Sequence, residues 1–424
     1  SAEDEKAVDY ALLAAEKVQQ RWAQAETLAH FEAARVRLAA MPNTASNRLR
    51  RIDVVLKQGE VQFALGRHAE HIAALEDIKA LIDEVDDQQR RATWCYWLGF
   101  LHSFTGGRPE AASTYCREAA AIAEACGLDD LQALADSCLL GVYNVAGALQ
   151  EALQAGERAL AIFEARGNIW WACRTLWNLS TTTNAMGAWE RSREYCQRAR
   201  EYGQAVDDLR LKTVALWRTG STLILQGDPR AGLQWCEEAL ALAPIPYDAT
   251  MAKAARGHGL VKVGEVVAGT AALEEAVAWF ERSHLPYTRA VFALRLGEAY
   301  LLQGERLRAQ ALFEAILATS QEWGYRYLEG MAARFLGEVL TPEAPEVAAG
   351  HLDTAARILE AVGARNEGAK VLLAQAMHRQ TVGDPAGARQ HLEQALALFE
   401  ALGTLDGPSH ARSALLALAQ RPSA

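Results

Sequence analysis

Cysteine is scarce and unpatterned in this chain. There are seven in 424 residues, with no pair at the spacing of a metal site. That argues against a thiolate centre, and scattered thiols suit a reducing cytoplasm, which is the compartment expected. No apolar run approaches the roughly 20 residues that span a bilayer, so no membrane partner is expected. β-branched residues are few and no stretch reads as a strand hairpin, which leaves all-α as the fold class. Positive charge is in the minority, with 43 Lys and Arg against 53 Asp and Glu and a formal net charge of −10. A nucleic-acid binder usually carries a basic stripe. Here only Arg48, Arg50 and Arg51 cluster, so no direct nucleic-acid partner is expected. The chain also lacks a phosphate-binding Gly-x-x-x-x-Gly-Lys-Ser/Thr loop, a Gly-x-Ser-x-Gly elbow and the kinase motif set. No catalytic residue, no resident metal and no cofactor is therefore assigned.

What the chain does have is a repeat. Between Leu285 and Gly324, apolar residues recur at three- and four-residue spacing in two stretches separated by Gly304. The first stretch carries Ala293, Leu296, Gly297 and Tyr300, and the second carries Ala309, Phe313 and Ile316. Glycines at the Gly304 position recur about every 40 residues: Gly66, Gly107, Gly147, Gly187, Gly227, Gly264, Gly304 and Gly383. Small residues recur seven positions before the turn (Gly59, Gly220, Gly257, Gly297, Ala376) and five after it (Ala152, Gly232, Gly269, Ala309, Ala388). Small residues at two fixed registers predict close helix crossings. A helical hairpin cannot bury both faces alone, so such units must stack. Between Gly304 and Gly383 one turn glycine is missing, and its place falls near Thr341–Pro345.

Leu296-Gly297-x-x-Tyr300 and Ala309-x-x-x-Phe313 resemble the tetratricopeptide repeat, whose unit is a helix A–helix B hairpin. The resemblance covers nearly the whole chain. It implies a right-handed superhelical solenoid of about ten antiparallel hairpins, a single array over residues 1–424 with atypical caps near 1–42 and 405–424. Units longer than the usual 34 residues look like those of the C-terminal sensor regions of bacterial signal-transduction ATPase regulators. Leu-Gly-Glu-Ala-Tyr-Leu-Leu-Gln-Gly at 296–304 and Phe-Leu-Gly-Glu-Val-Leu at 335–340 carry that likeness.

In such superhelices the A helices line a concave groove. Carried over by this resemblance, the groove receives Trp94, Trp97, Phe104, Asn144, Arg174, Trp177, Asn184, Trp217, His258 and Lys262. Tryptophan offers a large, stiff contact surface, and an Asn amide can pair with both groups of a peptide backbone. The competing readings are core packing for the tryptophans and plain surface polarity for Asn144 and Asn184. Three acidic pairs, Asp86-Asp87, Asp129-Asp130 and Asp207-Asp208, are expected to cap A helices rather than bind metal. His68 and His71 are expected at the surface. Cys116, Cys196 and Cys236 share the Phe313 position and are expected in the core.

These readings point to recognition without chemistry: a protein or peptide partner held in a groove, as the sensor arm of a regulator. The alternative is a small-molecule or oligosaccharide inducer, with tryptophan faces stacked on sugar.

Overall fold

The structure is a computed structural model that describes residues 2–19, 24–104 and 109–420. Gly107 and the side chain of Phe104 lie outside the described residues. Every regular element among them is a helix, and consecutive helices pack as antiparallel hairpins. No helix is long and apolar enough to cross a membrane, and no cluster of three metal-capable side chains occurs among the described residues. The chain divides into two compact units, Ser1–Leu139 and Leu140–Ala424.

In the first unit, hairpin packing bends the expected A helix. Ala45–Lys57 stops at Gln58 and a short helix, Gly59–Ala64, continues from it. The break brings Gly59 onto the indole of Trp97, where any Cβ would overlap the ring. His68–Asp77 and Lys79–Val85 are broken in the same manner at Ile78. The acidic pair before Gln88–Phe104 divides its work. Asp86 takes the left-handed position that ends one helix (φ 51°), and Asp87 accepts the Arg90 amide at 2.9 Å to cap the next. Asp207 and Asp208 repeat this arrangement in the second unit, with Asp208 accepting from the Leu211 amide at 2.8 Å.

The second unit contains six complete A helices in succession: Ile169–Met186, Leu209–Gln226, Pro246–Val263, Pro286–Leu302, Arg326–Leu340 and Arg365–Thr381. Each packs on its own B helix, and each of the first five also packs on the next A helix, so the A helices form a continuous inner row. The registered small residues sit at the crossings. Gly220 faces the Gly232 carbonyl, Gly257 faces Gly269, and a Cβ on Gly297 would overlap the Phe313 ring. Phe313 in turn stacks on Phe335 of the following A helix at 4.7 Å between centroids. Cys116, Cys196 and Cys236 are buried thiols, as their shared register implies. The missing turn is present without a glycine, Thr341 ending Arg326–Leu340 in ordinary helical geometry.

Within this unit the inner row comes round on itself. Ile169–Met186 packs against Arg365–Thr381, four A helices beyond its immediate neighbour. The turns of the early hairpins lie against the junctions of the late ones. Gly147 meets Arg326 and Tyr327, Gly187 meets Asn366 and Leu402, and Gly227 meets Asp406. The separation in sequence is the same for Gly147–Arg326, Gly187–Asn366 and Gly227–Asp406, so one repeat period runs on both sides of the seam. Hydrogen bonds fasten it. The Leu405 amide donates to the Gln226 carbonyl at 2.7 Å, and the Gln226 side-chain amide donates to the Gly403 carbonyl at 3.0 Å. The Trp189 indole donates to Thr404, whose hydroxyl donates to Asn366.

Candidate functional site in the second unit

The inner row presents two bands of polar side chains. The first follows the A-helix N-termini, where Tyr247, Tyr287 and Tyr327 each occupy the second helical position. All three are half-buried, and no hydrogen bond ties their hydroxyls to another described residue. Burial pushes each phenol above its ordinary range. The second band lies near the close-packed glycines: Arg218, His258, Arg295, Glu298, Arg334 and Glu338, joined by Glu367 and Lys370 from the last A helix.

Most of the second band is a ladder of ion pairs. Lys262 reaches Glu298 at 2.5 Å, with His258 on the same carboxylate at 3.8 Å. Arg334, which is 5% exposed, lies between Glu338 at 2.5 Å and Glu367 at 3.4 Å, and Lys370 meets Glu367 at 2.7 Å. Burial alone would raise Glu298 and Glu367. The charges of Lys262 and Arg295 and the Lys262 hydrogen bond outweigh it and hold Glu298 far below the carboxylate range. Lys370, Arg334 and Arg295 likewise hold Glu367 at about 2. His258 is kept neutral by burial, then by Arg295 and Lys262. The site is therefore a row of fixed charges, with both buried carboxylates ionised.

The residues expected in the groove are distributed otherwise. Trp94 and Trp97 belong to the first unit and are packing residues. The Trp94 indole donates to the Leu75 carbonyl at 2.7 Å, and Trp97 is wedged between Gly59 and His71. His71 is itself fully buried, a correction to the surface expectation, and burial lowers it to about 4. Trp177 and Trp217 are 9% and 4% exposed in the second unit, packed rather than presented. Arg174 is half-buried over the Trp171 ring, and its charge reaches Tyr247 together with those of Arg218 and Arg210. Of the expected set, Arg174, His258 and Lys262 adjoin the charged inner row, and the buried Trp217 ring lies under Arg218 at 4.3 Å.

Asn144 and Asn184 are one repeat apart and make equivalent bonds within the protein. The Asn144 carbonyl accepts from Thr182 at 2.7 Å and its amide donates to the Asn178 carbonyl. The Asn184 amide donates to Thr222 at 3.0 Å. Each braces its A helix to the next, at the same sequence separation of 38. Missed from sequence were the arginines two or three residues before a signature glycine: Arg218, Arg295 and Arg334. An Arg inside an otherwise apolar helix stretch, as in Ala-Leu-Arg-Leu-Gly, was the available signal. The recurring tyrosine at 247, 287 and 327 was another.

The architecture is that of a tetratricopeptide-like helical-repeat protein. No protein-family model matches the sequence, and no curated protein matches it. Among solved structures the chain is similar to NprR in complex with its cognate peptide NprX, with 12% identity over 84% of this chain and 99% of that one and a TM-score of 0.60. It is also similar to the apo form of RapI, with 13% identity, 87% and 98% coverage and a TM-score of 0.52. The apo form of the quorum sensor NprR from B. thuringiensis matches at 12% identity, 94% and 99% coverage and a TM-score of 0.50. At such identities the likeness is one of fold.

Proposed function

We propose that the Leu140–Ala424 unit is a receptor for a short peptide segment, acting without chemistry of its own as the sensing arm of a regulator. The observation that carries this reading is the inner row. Charged and phenolic groups recur along the row of A helices, whose first and last members pack on each other, and a few polar groups converging on one surface are a feature of binding sites. Burying so many charges is costly unless they are paired or have a partner to meet. The NprR structure is described as a complex with a cognate peptide, and the shared fold makes the same class of ligand reasonable here. The oligosaccharide alternative rested on exposed tryptophan faces, and Trp177 and Trp217 are packed.

The test is photo-crosslinking of the full chain with a pool of random-sequence hexapeptides bearing a benzophenone group. Attachment should map to the six A helices named above, with the peptides recovered uncleaved. Attachment confined to the B helices or to Ser1–Leu139, or cleavage of the peptides, would contradict the proposal.

A further inference from the structure

The ladder on the inner row is not balanced. Lys262, Arg334 and Lys370 are matched by Glu298, Glu338 and Glu367. Arg218 and Arg295 are not. Arg295 is 8% exposed and makes no hydrogen bond or ion pair to any described residue. Arg218 is half-buried; its guanidinium reaches the Thr181 hydroxyl and lies over the Trp217 ring at 4.3 Å, but it meets no carboxylate and its Nε has no hydrogen-bond partner. Both stand two residues before a close-packed glycine, Gly220 and Gly297, so they occupy the same register of two A helices. Both flank the tyrosine band. Arg218 acts on Tyr247 and Tyr287, and Arg295 on Tyr327.

A guanidinium without a counter-ion on a largely buried helix face is costly. The carboxylates nearest Arg295 feel its charge but bond to other cations: Glu298 to Lys262 through one oxygen, and Glu367 to Lys370 and Arg334. The surplus is also opposite in sign to the whole chain, which carries −10. A cation left free against that background fits an anion supplied from outside. The planar fork of Arg matches a carboxylate, with two parallel N–H donors, and the free tyrosine hydroxyls offer further donors beside it.

We propose that Arg218 and Arg295 are the specificity-determining residues of the receptor site and that the ligand is an acidic peptide, its carboxylates seated on these two guanidinium groups. This rests on the peptide-receptor reading above. The carboxylates come from Asp or Glu side chains or from the free C-terminus of the peptide.

The experiment presents the full chain with two pools of random-sequence hexapeptides, one with free and one with amidated C-termini, and sequences the retained peptides by mass spectrometry. The expected result is enrichment of Asp and Glu, or of free C-termini over amides, by about tenfold, the scale of one charge-assisted pair. The two pools tell the two carboxylate sources apart. In Arg295→Lys, which keeps a positive charge near Glu298 and Glu367 but loses the planar fork, the enrichment falls while the thermal midpoint holds. A purely structural arginine would instead lower the midpoint. Peptides retained without acidic enrichment by the parent overturn this inference and leave the receptor reading standing. No retention by either pool overturns both. The parent's enrichment decides the matter even if a variant fails to fold.

Discussion

The two units use the same hairpin to different ends. In Ser1–Leu139 the turn glycine Gly66 has nothing within 4 Å of where a Cβ would sit. The inner aromatic residues Trp94 and Trp97 are packed away, and the buried titratable group, His71, has no partner on either ring nitrogen. In Leu140–Ala424 the array curls until Gly147, Gly187 and Gly227 meet later hairpins, and the inner face keeps its charges. Within that unit the contrast recurs, since Gly264, Gly304 and Gly383 occupy the same turn position and face nothing. A turn glycine is thus required for its backbone angle everywhere, and for its missing side chain only where the seam closes.

The largest effect should come from acid. His71 protonates near 6.5 when unfolded and at about 4 when folded, because burial disfavours its charge. Its neutral state therefore favours folding fully above pH 6.5, and that contribution is lost as pH falls to about 4. The span corresponds to about 3 kcal/mol. His71→Leu should remove this loss from the first unit, read by hydrogen exchange between pH 7 and 4, and leave the second unit's acid response unchanged. An equal change in both units would break the distinction between them.

The seam gives the next effect. Gly227 has φ 106° and a Cβ there would lie 2.6 Å from the Asp406 amide nitrogen; Gly304 has φ 80° and open space. Gly304→Ala should cost only the left-handed strain, about 1–2 kcal/mol. Gly227→Ala adds overpacking against backbone, about 2 kcal/mol more. Paired urea titrations measure the difference, and equal costs would mean that the turn at Gly227 is as open as that at Gly304.

The fold was legible because its signals are local and repeated. Gly220, Gly257 and Gly297 at one register, and Gly232, Gly269 and Ala309 at another, could only be helix crossings, and Asp87 and Asp208 could be read as caps from their position alone. The site was less legible. Trp177 and Trp217 fall on the inner side of their helices by register, but in a tightly curled array that side also packs against neighbouring A helices. Asn144 and Asn184 look like ligand groups because their partners, Thr182 and Thr222, lie one repeat away and pairing across that distance depends on superhelical pitch. The same holds for the seam. No local pattern around Gln226 or Leu405 announces a bond between residues so far apart in sequence. Arg218 and Arg295 were readable in principle, as charges inside apolar helical runs, and only the structure shows that nearby carboxylates serve other cations.

The closure of the second unit's array on itself is tested most directly by the Leu405 amide. Leu405 lies in the connection between Pro385–Leu402 and Gly407–Ala419, its side chain is exposed, and its N–H is bonded only across the seam to the Gln226 carbonyl. Residue-resolved hydrogen exchange on the full chain should find this connecting amide protected to a degree comparable with helix amides, and released in Gly227→Ala. Exchange at the rate of a free loop in the parent protein would contradict closure and, with it, the convergence of the charged inner row.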